Sequence, residues 1–254
     1  MSGPGSRRAV LASALAPLAV LGVLVAGVSA AVVYPGEDAA SGPGGTSTGG
    51  SPTTPSGSPS DSPTAPEGMQ LVSGDGRSDA VFAVPETDDW TLTEAGTNLG
   101  YSTSDGSVTE GVRDPALFGA DFCDDDLGLT NRAFVGFTRP VPVEDADVQS
   151  TAQELVTSWA GVLGADDEAA APTVTPVRLD DGSAGWTGAT VVPVTDPESD
   201  CDPAAREVRV VSVASSSFVA TLVLVRDVRA DGSDLDDGLS ADGADEVLRT
   251  LDPQ

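Results

Sequence analysis

Phe218–Val225 reads FVATLVLV, a run broken only by Thr221. A strand with one wet face alternates apolar and polar residues, whereas this one hardly alternates at all. It therefore reads as the central strand of a sheet covered on at least one face. Three more strand patterns precede it, at Thr173–Leu179, Gly188–Val194 and Glu207–Ala214. Nearer the N-terminus, Ala80–Val84, a strand starting at Trp90, Gly100–Thr103 and Gly106–Gly111 suggest a meander, with Asp105-Gly106 as a hairpin turn.

Between these two groups the period changes. In Asp147–Leu163, DVQSTAQELVTSWAGVL, the residues Val148, Ala152, Leu155, Val156, Trp159 and Leu163 form one apolar stripe at helical spacing. Asp147 or Ser150 can cap its start, the latter with Gln153 in a capping box, and Gly164 marks its stop. Trp159 is expected to anchor the helix to the sheet. A second, shorter helix is expected in Ser240–Leu251, with Ala244, Val247, Leu248 and Leu251 on one face. Strands, long helix, strands, short helix is an α+β order. The expected fold is an antiparallel sheet with one long and one short helix packed on it, both possible on the same face. It occupies residues 78–254.

The residues before this domain belong to other environments. Arg7 and Arg8 precede an uncharged run from Ala9 to Val33, 25 residues long. About 20 residues suffice to cross a bilayer core, while a signal peptide core is roughly 7–15. The expectation is a cytoplasmic N-terminus at 1–8 and a transmembrane helix at 9–34. Everything after it then lies outside a cell membrane crossed once, because basic residues stay inside. Cleavage after Ala30, at Val28–Ser29–Ala30, is the alternative. Residues 35–77 form a linker, and within it all but two residues of Ser41–Pro66 are Gly, Ser, Thr or Pro. Such a segment has nothing to bury and serves as a compliant tether, open to O-glycosylation.

Composition narrows the chemistry. The chain has 254 residues, 40 Asp and Glu against 12 Lys and Arg, and no histidine; every one of the 12 is arginine. Ser-His-Asp and Cys-His catalysis, the H-E-x-x-H zinc motif, phosphate loops with their lysine, and Schiff bases are all excluded. No cofactor is implied. All 40 acidic residues follow Tyr34, so the exported part repels nucleic acid and is expected to stay soluble and monomeric. The cysteines, Cys123 in DFCDDDLG and Cys201 in DPESDCDPAA, are expected to form a disulfide that closes a loop of nearly 80 residues.

Asp121, Asp124, Asp125 and Asp126, and separately Asp231, Asp234, Asp236 and Asp237, are candidate calcium clusters. Neither fits the EF-hand register: with Gly238 as the sixth position, Ser233 and Leu235 fall where ligands are required. These subtractions leave a non-enzymatic binding or accessory module of the cell envelope, held on a leash. Its partner would be another envelope protein or a basic polymer. A carboxylate-based hydrolase of wall glycans and a weak calcium-binding surface domain are the alternatives.

VFAVPETDDW at the start of the domain, Cys123 ahead of the helix, TAQELVTSWA within it and Cys201 in the second half resemble a group of actinobacterial single-pass membrane proteins. These carry an extracellular domain of unknown function behind a tether. The V-P-x-x-x-x-W opening and the Ala/Trp-bearing helix are also similar to the PsbP-like and LpqN-like sandwich, over Ala80 to Leu251. That resemblance implies an envelope-associated accessory protein and carries over no catalytic residue. The chain lacks the lipobox cysteine of the lipoprotein members.

Overall fold

The computed structural model describes residues 32–34, 63–74, 80–103, 109–123, 130–164, 169–195, 197 and 199–254. In chain order the strands are β1 (Val32–Tyr34), β2 (Met69–Ser73), β3 (Val81–Pro85), β4 (Trp90–Leu92), β5 (Asn98–Ser102), β6 (Thr109–Phe118), β7 (Ala133–Phe137) and β8 (Val141–Pro142). Helix α1 (Val148–Leu163) follows. Then come β9 (Thr173–Arg178), β10 (Ala184–Pro193), β11 (Ala205–Ala214), β12 (Phe218–Val228) and α2 (Ala241–Arg249).

The main sheet is antiparallel and runs β1-β5-β6-β7-β12-β11-β10-β9, with β4 beside β6 and β8 beside β12. The continuously apolar strand is indeed central. All of β12 except Phe218 is buried, because both of its faces are covered. Ala220, Leu222 and Leu224 enter one core with Ala244, Val247 and Leu248 of α2 and Phe82 and Val84 of β3. Val223 and Val225 enter the other, with Ala152, Val156 and Trp159 of α1. The two helices therefore lie on opposite faces, not on one. The period of two along β12 dictates this: a strand apolar at both parities needs a layer on each side.

Helix α1 starts at Asp147, whose carboxylate accepts from Ser150 N at 2.9 Å. Gly164 ends the helix, although in extended rather than left-handed backbone (φ −128°). Packing requires it: a Cβ there would sit 2.5 Å from Val192 Cγ1. Gly188 of β10 likewise leaves room for Val156 and the Ala152 carbonyl. Trp159 is fully buried and meets Phe134 and Tyr101 at ring distances of 5.9 and 6.1 Å. It is the anchor its spacing suggests.

On the other face, β2 and β3 form a separate two-stranded sheet beside α2, which is capped by Ser240. Asp252 exchanges backbone hydrogen bonds with Val81. The ordered domain thus begins before residue 78, since Met69–Ser73 is paired strand. Strand β6 runs well beyond Gly111, bending at a bulge where Asp114 takes φ +49°. Beyond the bulge it changes neighbour from β5 to β4. The Asp105-Gly106 turn and residues 9–31 of the apolar run lie outside the described residues. Val32–Tyr34, the last three residues of the expected transmembrane helix at 9–34, are instead a strand paired with Asn98–Gly100, so any membrane-crossing segment ends before Val32. Among the described residues no helix is long and apolar enough to cross a membrane.

Candidate functional site

Two charged residues end the apolar run of β12, Arg226 and Asp227. Adjacent residues on a strand point to opposite faces, so each builds a cluster of its own.

Arg226 is turned toward α2 and is only 1% exposed. Its Nε donates to Glu207 Oε2 at 2.5 Å, and its Nη1 to Asp234 Oδ1 at 2.6 Å and to the Leu239 carbonyl at 2.8 Å. Asp234 in turn accepts from Ala241 N, so one carboxylate joins the arginine to the first turn of α2. The Arg226 hydrogen bond holds the Asp234 carboxyl below its ordinary range, against a smaller effect of burial. Arg209 completes the group, donating from Nη1 to Asp245 on α2. Its Nε lies 3.0 Å from Glu207 Oε2 but is not aligned for a hydrogen bond. The cluster rivets the loop 229–240 and α2 to the sheet.

Asp227 is turned toward α1 and is differently placed. Arg206 faces it directly on β11, and Arg132, just before β7, accepts from Asp227 N through its carbonyl at 2.8 Å. The three side chains make a row across adjacent strands. Yet the charged contacts are long: Asp227 Oδ2 is 3.6 Å from Arg132 Nη1, and Oδ1 is 3.8 Å from Arg206 Nε. Each arginine has its short contact elsewhere. Arg132 donates to Asp237 at 2.7 Å and Arg206 to Asp202 at 3.0 Å. The Phe122 ring lies 3.8 Å under the Arg132 guanidinium, and Tyr101 stands 5.9 Å from that of Arg206. Burial pushes the Asp227 carboxyl up to about 7, outweighing the opposing pull of Arg206 and Arg132. Burial also raises the Tyr101 phenol, which Arg206 opposes.

The disulfide closes over this row. Cys123 and Cys201 are bonded, with their Cα atoms 6.0 Å apart, as their number and loop setting lead one to expect. Phe122 immediately precedes one cysteine and Asp202 immediately follows the other. The bridge therefore joins the loop that stacks on Arg132 to the loop that pairs with Arg206. Exposed Asp121 and Asp200 flank it.

The members of the second acidic cluster are each engaged by separate partners rather than gathered into one ligand set. Asp231 accepts from Ser233, Asp234 from Arg226 and Ala241, Asp236 from Arg229 and Asp237 from Arg132. Asp121 is exposed, and Asp124–Asp126 lie outside the described residues. Among the described residues no group of three or more His, Cys, Asp or Glu is placed to hold a metal ion. The row around Asp227 was not foreseeable from composition, where 40 acidic residues make any one unremarkable. The available signal was a charged pair closing an otherwise unbroken apolar strand.

The profile of the family described as Domain of unknown function (DUF8017) matches residues 62–254. The chain belongs to that family. The match begins ahead of β2, in agreement with the paired strand at Met69–Ser73, and covers both cysteines and the whole Asp227 row. No curated protein matches the chain significantly.

Proposed function

We propose that this DUF8017 domain is an extracytoplasmic binding or accessory module, tethered to the cell membrane by the uncharged run that begins at Ala9 and ends ahead of β1, and carrying out no turnover chemistry. The observation that supports it is the Cys123–Cys201 bridge, which holds two acidic loops side by side. A disulfide suits an oxidising exterior. Here it also brings together two loops that carry the exposed Asp121 and Asp200 and the half-buried Phe122. Interfaces use aromatic centres and charged rims to select a partner of opposite sign. The partner is therefore a basic patch on another envelope protein or a basic polymer. The leash raises the domain's effective concentration for anything on the same surface.

Co-sedimentation of the full-length protein, in nanodiscs, with envelope fractions and with a basic polypeptide tests this. Binding should weaken with added salt and with Asp121→Lys combined with Asp200→Lys, while the melting temperature stays the same. Undiminished binding by the double variant would move the site elsewhere. Release of saccharide from the fractions, abolished by one Asp or Glu substitution, would replace the module by a hydrolase.

A further inference from the structure

We propose that the row Arg132–Asp227–Arg206 is a proton-responsive clasp on the two disulfide-bonded loops, tight when Asp227 is neutral and loosened when it is ionised. Each arginine is shared between a loop carboxylate close by and the strand carboxylate farther off. Arg206 reaches Asp202 at 3.0 Å but Asp227 only at 3.8 Å. Arg132 reaches Asp237 at 2.7 Å but Asp227 only at 3.6 Å. A neutral Asp227 leaves the two short contacts uncontested. An ionised Asp227 draws both guanidiniums toward β12, and its charge repels Asp202 directly. Asp202 adjoins Cys201, and Phe122, stacked on Arg132, adjoins Cys123. Both ends of the bridge are thus attached to cations for which Asp227 competes.

The charged and titratable groups facing Asp227 come from every neighbouring element: Arg206 from β11, Arg132 from the approach to β7, Asp202 from the loop before β11 and Tyr101 from β5. Asp237 acts through Arg132. Tyr101 stays neutral throughout, since burial lifts it further above its ordinary value. Burial places the titration of Asp227 close to neutrality, where modest acidification changes its charge. A carboxylate serving only as a structural partner would sit at hydrogen-bonding distance from an arginine and titrate low. The clasp does not depend on what the loops bind.

The test compares the full-length wild type with Asp227→Asn in detergent micelles, reading the rate at which a water-soluble phosphine reduces Cys123–Cys201. Asparagine copies the neutral acid. The two rates should agree at about pH 5.5, and the wild type should be several-fold faster at about pH 8. An Asp236→Asn control should keep the wild-type response. Equal rates at both pH values overturn the proposal. Should Asp227→Asn fail to fold, the wild type alone decides through the carbon chemical shift of the Asp227 carboxyl. A midpoint near neutrality, with slowed amide exchange at 121–123 and 199–202 below it, supports the clasp. A midpoint below about pH 5 removes it.

Discussion

Arg226 and Asp227 are neighbours on one strand and both lie almost wholly out of water, yet the protein treats them oppositely. On the α2 face the buried arginine has three hydrogen bonds of 2.5 to 2.8 Å. On the α1 face the buried aspartate has, among the described residues, no charged contact shorter than 3.6 Å. A buried charge costs several kcal/mol to desolvate and is tolerated where hydrogen bonds offset that cost. The first site meets this condition and holds a loop and a helix in place. The second does not meet it, and its carboxyl titrates near neutrality as a result. One face is riveted and the other is adjustable.

The largest effect should come from breaking the rivet. Arg226→Met takes the short hydrogen bond from Glu207 and releases Asp234, which stays bonded to Ala241 N at the start of α2, from the sheet. A loss of about 3–5 kcal/mol is expected in denaturant titration, the usual cost of removing one partner from a buried pair. A loss below about 1 kcal/mol would show that water reaches this site and would erase the contrast between the faces. Next in size is the bridge over the adjustable side. Cys123→Ser with Cys201→Ser should cost about 2–4 kcal/mol, since the bridge closes a long loop, and should alter exchange mainly in residues 121–123 and 199–202. Changes spread equally over α2 would contradict a cluster confined to one face.

The contrast also explains what the sequence disclosed. Patterns that depend on near neighbours were legible: the unbroken apolar run of β12, the stripe of α1, the Asp147 cap offered beside Ser150, and the even cysteine count. Layer assignment was not legible: the apolar strand was read as covered on at least one face and both helices as possible on the same face, whereas the structure covers both faces, one helix on each. Short elements escaped. Met69–Ser73, although three of its five residues are apolar, is too short for a strand period to show against the linker that precedes it. AFVGF of β7, buried throughout, is too short for its period to be measured. The Asp227 row was illegible for a different reason. Arg132 and Asp227 are brought together only by the β7–β12 pairing, and local spacing has no access to a contact between such distant segments.

Asp227→Asn isolates the adjustable site. An aspartate whose folded value is raised contributes stability that is fully present below its ordinary value near 4 and is withdrawn as pH rises through about 7. Over that interval the wild type should lose stability from this group with rising pH, and the asparagine variant should not. The two proteins should agree below about pH 4, and the variant should become the more stable as pH rises, by about 4 kcal/mol at about pH 8 (about three pH units at ~1.4 kcal/mol each). A variant markedly less stable at pH 8 would mean that the ionised carboxylate is a net stabilising partner of Arg132 and Arg206. The α1 face would then resemble the α2 face after all.

The smallest effects, and the finest comparison, concern the outer arm of each cluster. Asp245 pairs with Arg209 on the rivet side and Asp237 with Arg132 on the adjustable side, and both are more than half exposed. Each is a surface ion pair and should cost only about 0.2–1 kcal/mol when replaced by alanine. Their consequences for the buried groups should nevertheless differ. Arg209 retains Glu207 at 3.0 Å, so Asp245→Ala leaves the rivet unchanged. Arg132, once released from Asp237, has Asp227 as its next acidic neighbour among the described residues. Asp237→Ala should therefore draw the guanidinium inward, lower the Asp227 midpoint and recover part of its own cost above neutral pH. Carboxyl chemical-shift titration of the two variants separates the cases. A shift of the Asp227 midpoint in Asp237→Ala but not in Asp245→Ala is expected. Equal midpoints in both would show that the side chains of the row do not compete and that its long contacts are fixed by the backbone.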